Sequence, residues 1–192
     1  MTIHEFIHHR NNNATDQYSA HTQHPRETLK GLKVAWVGDA NNILQEILVA
    51  FPKVGISVAA AAPAGYTCDD DVVAIAQADA AKTGATVTFT TKPEEAVKDA
   101  DIIVTDTWVS MGQEEEKAKR LAEFAGYQVT MDLAKRGGAK PNWVFMHCLP
   151  RKPEEVDDEV FYSDRSLVFP EAENRKWTIL SVIDALMVRG GI

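Results

Sequence analysis

Cysteine is scarce in this chain, and the scarcity excludes a good deal. Its 192 residues hold two cysteines, Cys68 and Cys148, without a CxxC pair. A disulfide framework and a thiolate metal site both lack their raw material, and the usage suits a reducing compartment. Basic charge is also in deficit: 20 Lys and Arg against 28 Asp and Glu give a net charge of -8. Neutralising nucleic-acid phosphates or docking on an anionic membrane needs a basic face, so neither partner is expected. No apolar run approaches a membrane span. The first residues have neither the apolar core of a secretory signal nor the Arg/Ser-rich, acid-poor character of a transit peptide, so any targeting segment would have to precede Met1. The length suits one well-buried domain.

The first 30 residues stand apart from the rest. Ile3, Phe6 and Ile7 share a face of a short helix over 1–9, and the stretch from Arg10 to Pro25 is polar and reads as a linker. Five of the six histidines lie here (His4, His8, His9, His21, His24). The His4/His8 spacing suits a helical metal pair, but no glutamate or cysteine completes a recognisable site, so solvated linker histidines are expected and no metal.

From Lys33 strands and helices alternate. Strands are expected over 33–38, 56–61, 85–89, 101–106, 143–147 and 166–169. Helices are expected over 42–51, from Asp69 to Gly84, from Pro93, over 113–124 with Glu115–Lys119 and Glu116–Arg120 ion pairs, and over 176–188, ended by Gly190-Gly191. The alternation predicts a doubly wound (Rossmann-like) α/β domain over 31–192, a parallel sheet with helices on both faces.

Ligands of such sheets bind beyond the carboxyl ends of the strands. Four strand ends carry polar or reactive groups: Gly38-Asp39-Ala40-Asn41-Asn42, Asp106-Thr107-Trp108-Val109-Ser110-Met111-Gly112, His147-Cys148-Leu149-Pro150 and Glu171-Ala172-Glu173-Asn174-Arg175. The first lacks the GxGxxG fingerprint, and Asp39 at the helix entrance would repel phosphate, which disfavours a dinucleotide cofactor. Taken singly, each residue has a plainer reading. Cys148 is a small core residue at a strand end, Asp106 a helix-capping or loop-structuring residue, and Arg175 a surface ion-pair partner. Adjacent in a strand, His147 and Cys148 would point to opposite faces, which poorly suits a Cys–His nucleophile pair.

Together, in order and spacing, these motifs with Phe169-Pro170 ahead of the last resemble the ornithine carbamoyltransferases over about Leu29–Met187. The Ser-Met-Gly run points to ornithine rather than aspartate as acceptor, and Arg151–Asp158 looks like the eukaryotic branch. The first nine residues resemble the tail of the family's interdomain helix. The resemblance implies transfer of a carbamoyl group from carbamoyl phosphate to L-ornithine, giving L-citrulline and phosphate, without metal or organic cofactor. It implies that Asn42, Asp106, Ser110 and Met111 hold the amino-acid end of ornithine. Cys148 and the Leu149 carbonyl would lie near the side-chain amine and carbamoyl group, and Arg175 would stabilise the developing oxyanion. His147 would support its strand end, and the proton acceptor stays open between groups such as Cys148 and Asp106.

One departure bears on activity. The family's Ser-x-Arg-Thr-Arg and His-Pro-x-Gln motifs are absent; His24-Pro25-Arg26-Glu27 lacks the glutamine. The resemblance therefore implies the acceptor half alone, inactive by itself, with a homotrimer expected of the full enzyme and a monomer or weak dimer of this chain. It implies a mitochondrial matrix location, with the cytoplasm as alternative. The final helix would pack toward the missing half, leaving its apolar stripe partly exposed or borrowed by a neighbouring chain as a swapped element. The alternative reading is a non-catalytic interaction or regulatory domain that keeps the fold.

Overall fold

The computed structural model describes residues 29–188, apart from Met111 and Gln113. The early histidines, the short helix over 1–9 and Gly190-Gly191 lie outside the described residues. Those described divide into a compact unit, Lys30–Val168, and a C-terminal helix belonging to a second unit.

In the first unit, short Val/Ile/Ala runs form five strands: β1 (Lys33–Val37), β2 (Ser57–Ala61), β3 (Val87–Thr90), β4 (Ile102–Thr105) and β5 (Val144–His147). All pair in parallel in the order β3-β2-β1-β4-β5. Between them lie α1 (Asn42–Ala50), α2 (Asp70–Thr83), α3 (Pro93–Val97), α4 (Lys117–Glu123) and α5 (Met131–Gly137), and α6 (Asp158–Phe161) follows β5. β1, β2 and β4 are buried almost throughout, as strands covered on both faces must be.

Strand alternation divides the core into two. Ala35, Val37, Ala59, Ala61, Ile103 and Phe145 join Ala96, Val97, Phe124 and Leu133 in one cluster, where α3 packs on α5. The residues of opposite parity, among them Val34, Trp36 and Ile102, are buried as well, and α1 packs with α2. The sheet order reverses direction between β1 and β4. That is the crevice where open parallel sheets bind ligands.

Several expected elements differ. Ser166 makes only an isolated bridge to Phe145, and instead of a strand over 166–169 a helix, α7 (Val168–Ile183), begins. Pro170 falls in its first turn, where a missing N–H costs nothing. The last helix thus starts well before Lys176 and ends in a π-helical turn, Asp184–Val188. The expected helix over 113–124 is a 3-10 turn, Glu114–Glu116, followed by α4. No ion pair joins Glu116 to Arg120, because Arg120 is buried at 5% exposure and turns inward to Asp39. The helix α5, with the Thr130 hydroxyl capping Leu133 N–H, was not expected from the sequence.

Gly38 ends β1 at φ +145, and a Cβ there would sit 3.0 Å from Thr105 Oγ1 and 3.3 Å from Trp108 Nε1. Thr105 Oγ1 is itself committed, donating to Val37 O at 2.5 Å. Gly38→Ala is expected to cost about 1–3 kcal/mol, read as a lower urea midpoint at unchanged slope.

Candidate acceptor site at the sheet edge

Register brings the candidate loops together. Trp36 pairs with Val104 and Thr105 with His147, so the segments after β1, β4 and β5 leave the sheet side by side at its carboxyl edge. Asn41 caps α1, its Oδ1 accepting from Ile43 and Leu44 N–H at 3.0 and 3.3 Å. Its Nδ2 donates to Asp106 Oδ2 at 2.9 Å. The amide that starts the first helix therefore also fixes the carboxylate that ends the fourth strand. Asp106 is 7% exposed. Asn42, named from the sequence, is exposed at the first helical position, while Asn41 makes the bond to Asp106. Ser110 is half-buried, and Met111 lies outside the described residues.

The loop after β4 is held by charged side chains from elsewhere in the chain. Arg120 Nε donates to Trp108 O at 2.6 Å, and its Nη2 pairs with Asp39 Oδ2. The guanidinium lies 4.9 Å from the Tyr66 ring centroid and 5.7 Å from that of Phe124, and Phe124 stacks on Trp108. Burial pushes the Asp39 carboxyl up, and the Arg120 guanidinium pulls against it. From the other side, Trp108 N–H donates to Glu155 Oε1 at 3.3 Å.

Glu155 is fully buried and also meets His147, whose Nε2 lies 3.1 Å from Oε2. Leu149 N–H donates to His147 Nδ1 at 2.9 Å. The ring proton must then sit on Nε2 and point at Glu155. Both ring nitrogens are committed to framework bonds, in keeping with a supporting histidine rather than a base for Cys148. Leu149 adopts φ +59 and precedes a cis peptide to Pro150, and a leucine at that φ is a strained backbone state typical of functional loops. Cys148 is exposed. Cys68, by contrast, is buried, and burial with nearby Asp69 and Asp39 pushes its thiol up to about 11, out of reactive range.

The Glu155 carboxyl carries a pH prediction. Burial acts to raise it, but hydrogen bonds from His147 and the Lys152 N–H outweigh burial and hold it below its ordinary 4.5. A depressed carboxyl contributes stability that is present above the unfolded value and lost as pH falls through the folded one. Unfolding free energy should therefore fall with acidification below about 4.5 more steeply in wild type than in Glu155→Gln, measured by urea titrations across that range.

Arg175 lies on α7 at an exposed position and belongs to the second unit, whereas the other described candidates belong to the first. The residues that sequence reasoning missed are Asn41, Arg120, Lys152 and Glu155. Asn41 and Glu155 stood inside the motifs already singled out. Arg120 was disguised by its place in a charged helix. Among the described residues, no group of three or more His, Cys, Asp or Glu side chains gathers to hold a metal. No helix there is long and apolar enough to cross a membrane.

Residues 30–186 match the family model described as aspartate/ornithine carbamoyltransferase, Asp/Orn binding domain. A mitochondrial ornithine carbamoyltransferase of Coccidioides immitis is 54% identical over 194 residues, covering 100% of this chain and 54% of that protein. One of Emericella nidulans is 59% identical over 166 residues, covering 85% of this chain and 46% of that protein. Among solved structures, the Coccidioides immitis enzyme superposes with a TM-score of 0.77 at 55% identity, covering 85% of this chain and 50% of that one. The Pyrococcus furiosus ornithine carbamoyltransferase gives 0.78 at 44% identity, with 86% and 52% covered. The chain spans about half the length of the curated relatives it matches.

Proposed function

The chain belongs to the aspartate/ornithine carbamoyltransferase family, and we propose that it is the ornithine-binding half of an ornithine carbamoyltransferase. In that enzyme L-ornithine attacks carbamoyl phosphate to give L-citrulline and phosphate. The observation that carries this reading is the Asn41–Asp106 pair at the β1/β4 crevice, flanked by the Ser110 and Cys148 loops. A buried carboxylate anchored through Oδ2 can offer Oδ1 to the α-ammonium of an amino acid. Asn42 and backbone N–H groups would take the carboxylate, and Ser110 and Met111 would help to hold the amino-acid end.

In the reaction the ornithine side-chain nitrogen bonds to the carbamoyl carbon, the carbon–oxygen bond to phosphate breaks, and the amine gives up a proton. Cys148 and the Leu149 carbonyl would face the reacting amine. Arg175 would stabilise the oxyanion. The chain alone is proposed to be inactive, since its sequence has neither phosphate-binding motif and catalysis needs both substrates held in one geometry. We assign residues 1–30 to the linker with part of the interdomain helix, and 31–192 to the acceptor domain. The full enzyme would be a homotrimer and this chain a monomer or weak dimer. The mitochondrial matrix is the proposed location, supported by the mitochondrial relatives.

The test is an amide NMR titration with L-ornithine, with L-aspartate as control. Shifts confined to the surroundings of Asn41, Asn42, Asp106 and Ser110, with ornithine alone, are expected. A response to aspartate instead would reassign the acceptor. A silent, well-dispersed spectrum would favour a non-catalytic domain that keeps the fold, or a site completed only by the other half; adding that half separates the two.

A further inference from the structure

The turn after the Cys148 loop grips the loop after β4. Glu155 N–H donates to Lys152 O at 3.1 Å, closing the turn, and Lys152 N–H donates to Glu155 Oε2 at 2.8 Å. Both side chains then reach the same short segment. Glu155 takes the Trp108 N–H, while Lys152 Nζ donates to Thr107 Oγ1 at 2.8 Å and to Val109 O at 3.0 Å. Thr107 Oγ1 donates in turn to Val109 O at 3.0 Å, so one ammonium closes a three-membered ring of hydrogen bonds across the loop. These contacts span 45 and 43 residues of sequence.

We propose that Lys152 is a positioning residue: its ammonium straps the 107–109 segment and thereby sets where Asp106 and Ser110, on either side of it, present themselves to the acceptor. The effect on acceptor binding rests on the ornithine reading above; the strap itself does not. An ammonium suits the task because it offers several donors from a single point, and Thr107 Oγ1 and Val109 O lie only 3.0 Å apart. Half-buried, the bonds are shielded from the competition with water that makes exposed lysine contacts weak.

The test compares Lys152→Met, Lys152→Arg and Thr107→Val with wild type. Amide hydrogen exchange at Val109 and Ser110 reads loop order, the ornithine titration reads binding, and urea unfolding reads the fold. In Lys152→Met the loop amides should exchange about tenfold faster and ornithine bind about tenfold more weakly, while exchange in β1 stays at the wild-type rate. Lys152→Arg should restore much of both, because a guanidinium can still donate to both acceptors. Thr107→Val, which keeps the charge and removes one acceptor, should show a smaller effect. Loop exchange at the wild-type rate in Lys152→Met would overturn the strap. Faster exchange with unchanged ornithine affinity would reduce Lys152 to a purely structural residue and overturn the positioning role. A wild-type chain silent to ornithine would instead count against the acceptor reading, and loop exchange would still decide the strap.

Discussion

Asp106→Ala is expected to abolish the ornithine response of this chain while leaving its fold intact. The carboxylate is buried, and its Oδ2 is taken by Asn41. Removing a buried, hydrogen-bonded charge from a ligand's ammonium costs about 2–5 kcal/mol of binding, a weakening of at least about 30-fold. The structural loss is much smaller. One side-chain hydrogen bond goes, worth about 0.5–1.5 kcal/mol, and the half-buried Asn41 can turn its amide to water while its Oδ1 still caps α1. The two effects separate cleanly in one experiment: amide shifts on titration with ornithine, and urea unfolding of the same sample. Asp106→Asn sharpens the test, since it keeps size and can still accept from Asn41 while it removes the charge and replaces the ligand-facing acceptor by a donor. Ornithine binding at wild-type strength in both variants would remove Asp106 from the acceptor site. A variant that unfolds would instead make it a framework residue of the crevice.

Much of the fold was open to reading from the chain, for a definite reason. A parallel sheet covered on both faces demands continuous apolar strands, and Val34–Val37 and Ile102–Val104 are such runs; the helices between them carry their own caps and stops. The carboxyl-edge rule then pointed to the loops at Asp39, Asp106 and Cys148 without any coordinate, and the register sets them side by side. Ser166–Phe169 misled because a short apolar run does not distinguish a strand from the first turn of a helix. Pro170 was the available signal, allowed in that turn and unwelcome in a central strand. The tertiary partners were harder. That Asn41 rather than Asn42 would hold Asp106 depends on which of two adjacent amides faces the crevice at the helix cap. That Lys152 and Glu155 would close on residues 107–109 depends on a chain reversal more than 40 residues away, which no local pattern encodes.

Arg120 is where local pattern and fold conflict most, and magnitudes can decide between them. Read along the sequence, it is half of an exposed i,i+4 pair with Glu116, worth about 0.3–0.5 kcal/mol. In the structure it is buried against Asp39, donates to the Trp108 carbonyl and lies over the Tyr66 and Phe124 rings. Arg120→Ala should therefore cost about 3–5 kcal/mol, because it strands a buried carboxylate. That is a large part of the total stability of an ordinary domain. The accompanying change Asp39→Asn should return a substantial share by removing the stranded charge, whereas a surface pair would show no such coupling. Urea unfolding of wild type, both single variants and the double variant measures the coupling directly. A cost below about 1 kcal/mol for Arg120→Ala would fit only the exposed pair. A large cost with strong coupling to Asp39 would tie the β1 loop to the β4 loop energetically. The crevice would then be held open by a buried ion pair as much as by the sheet beneath it.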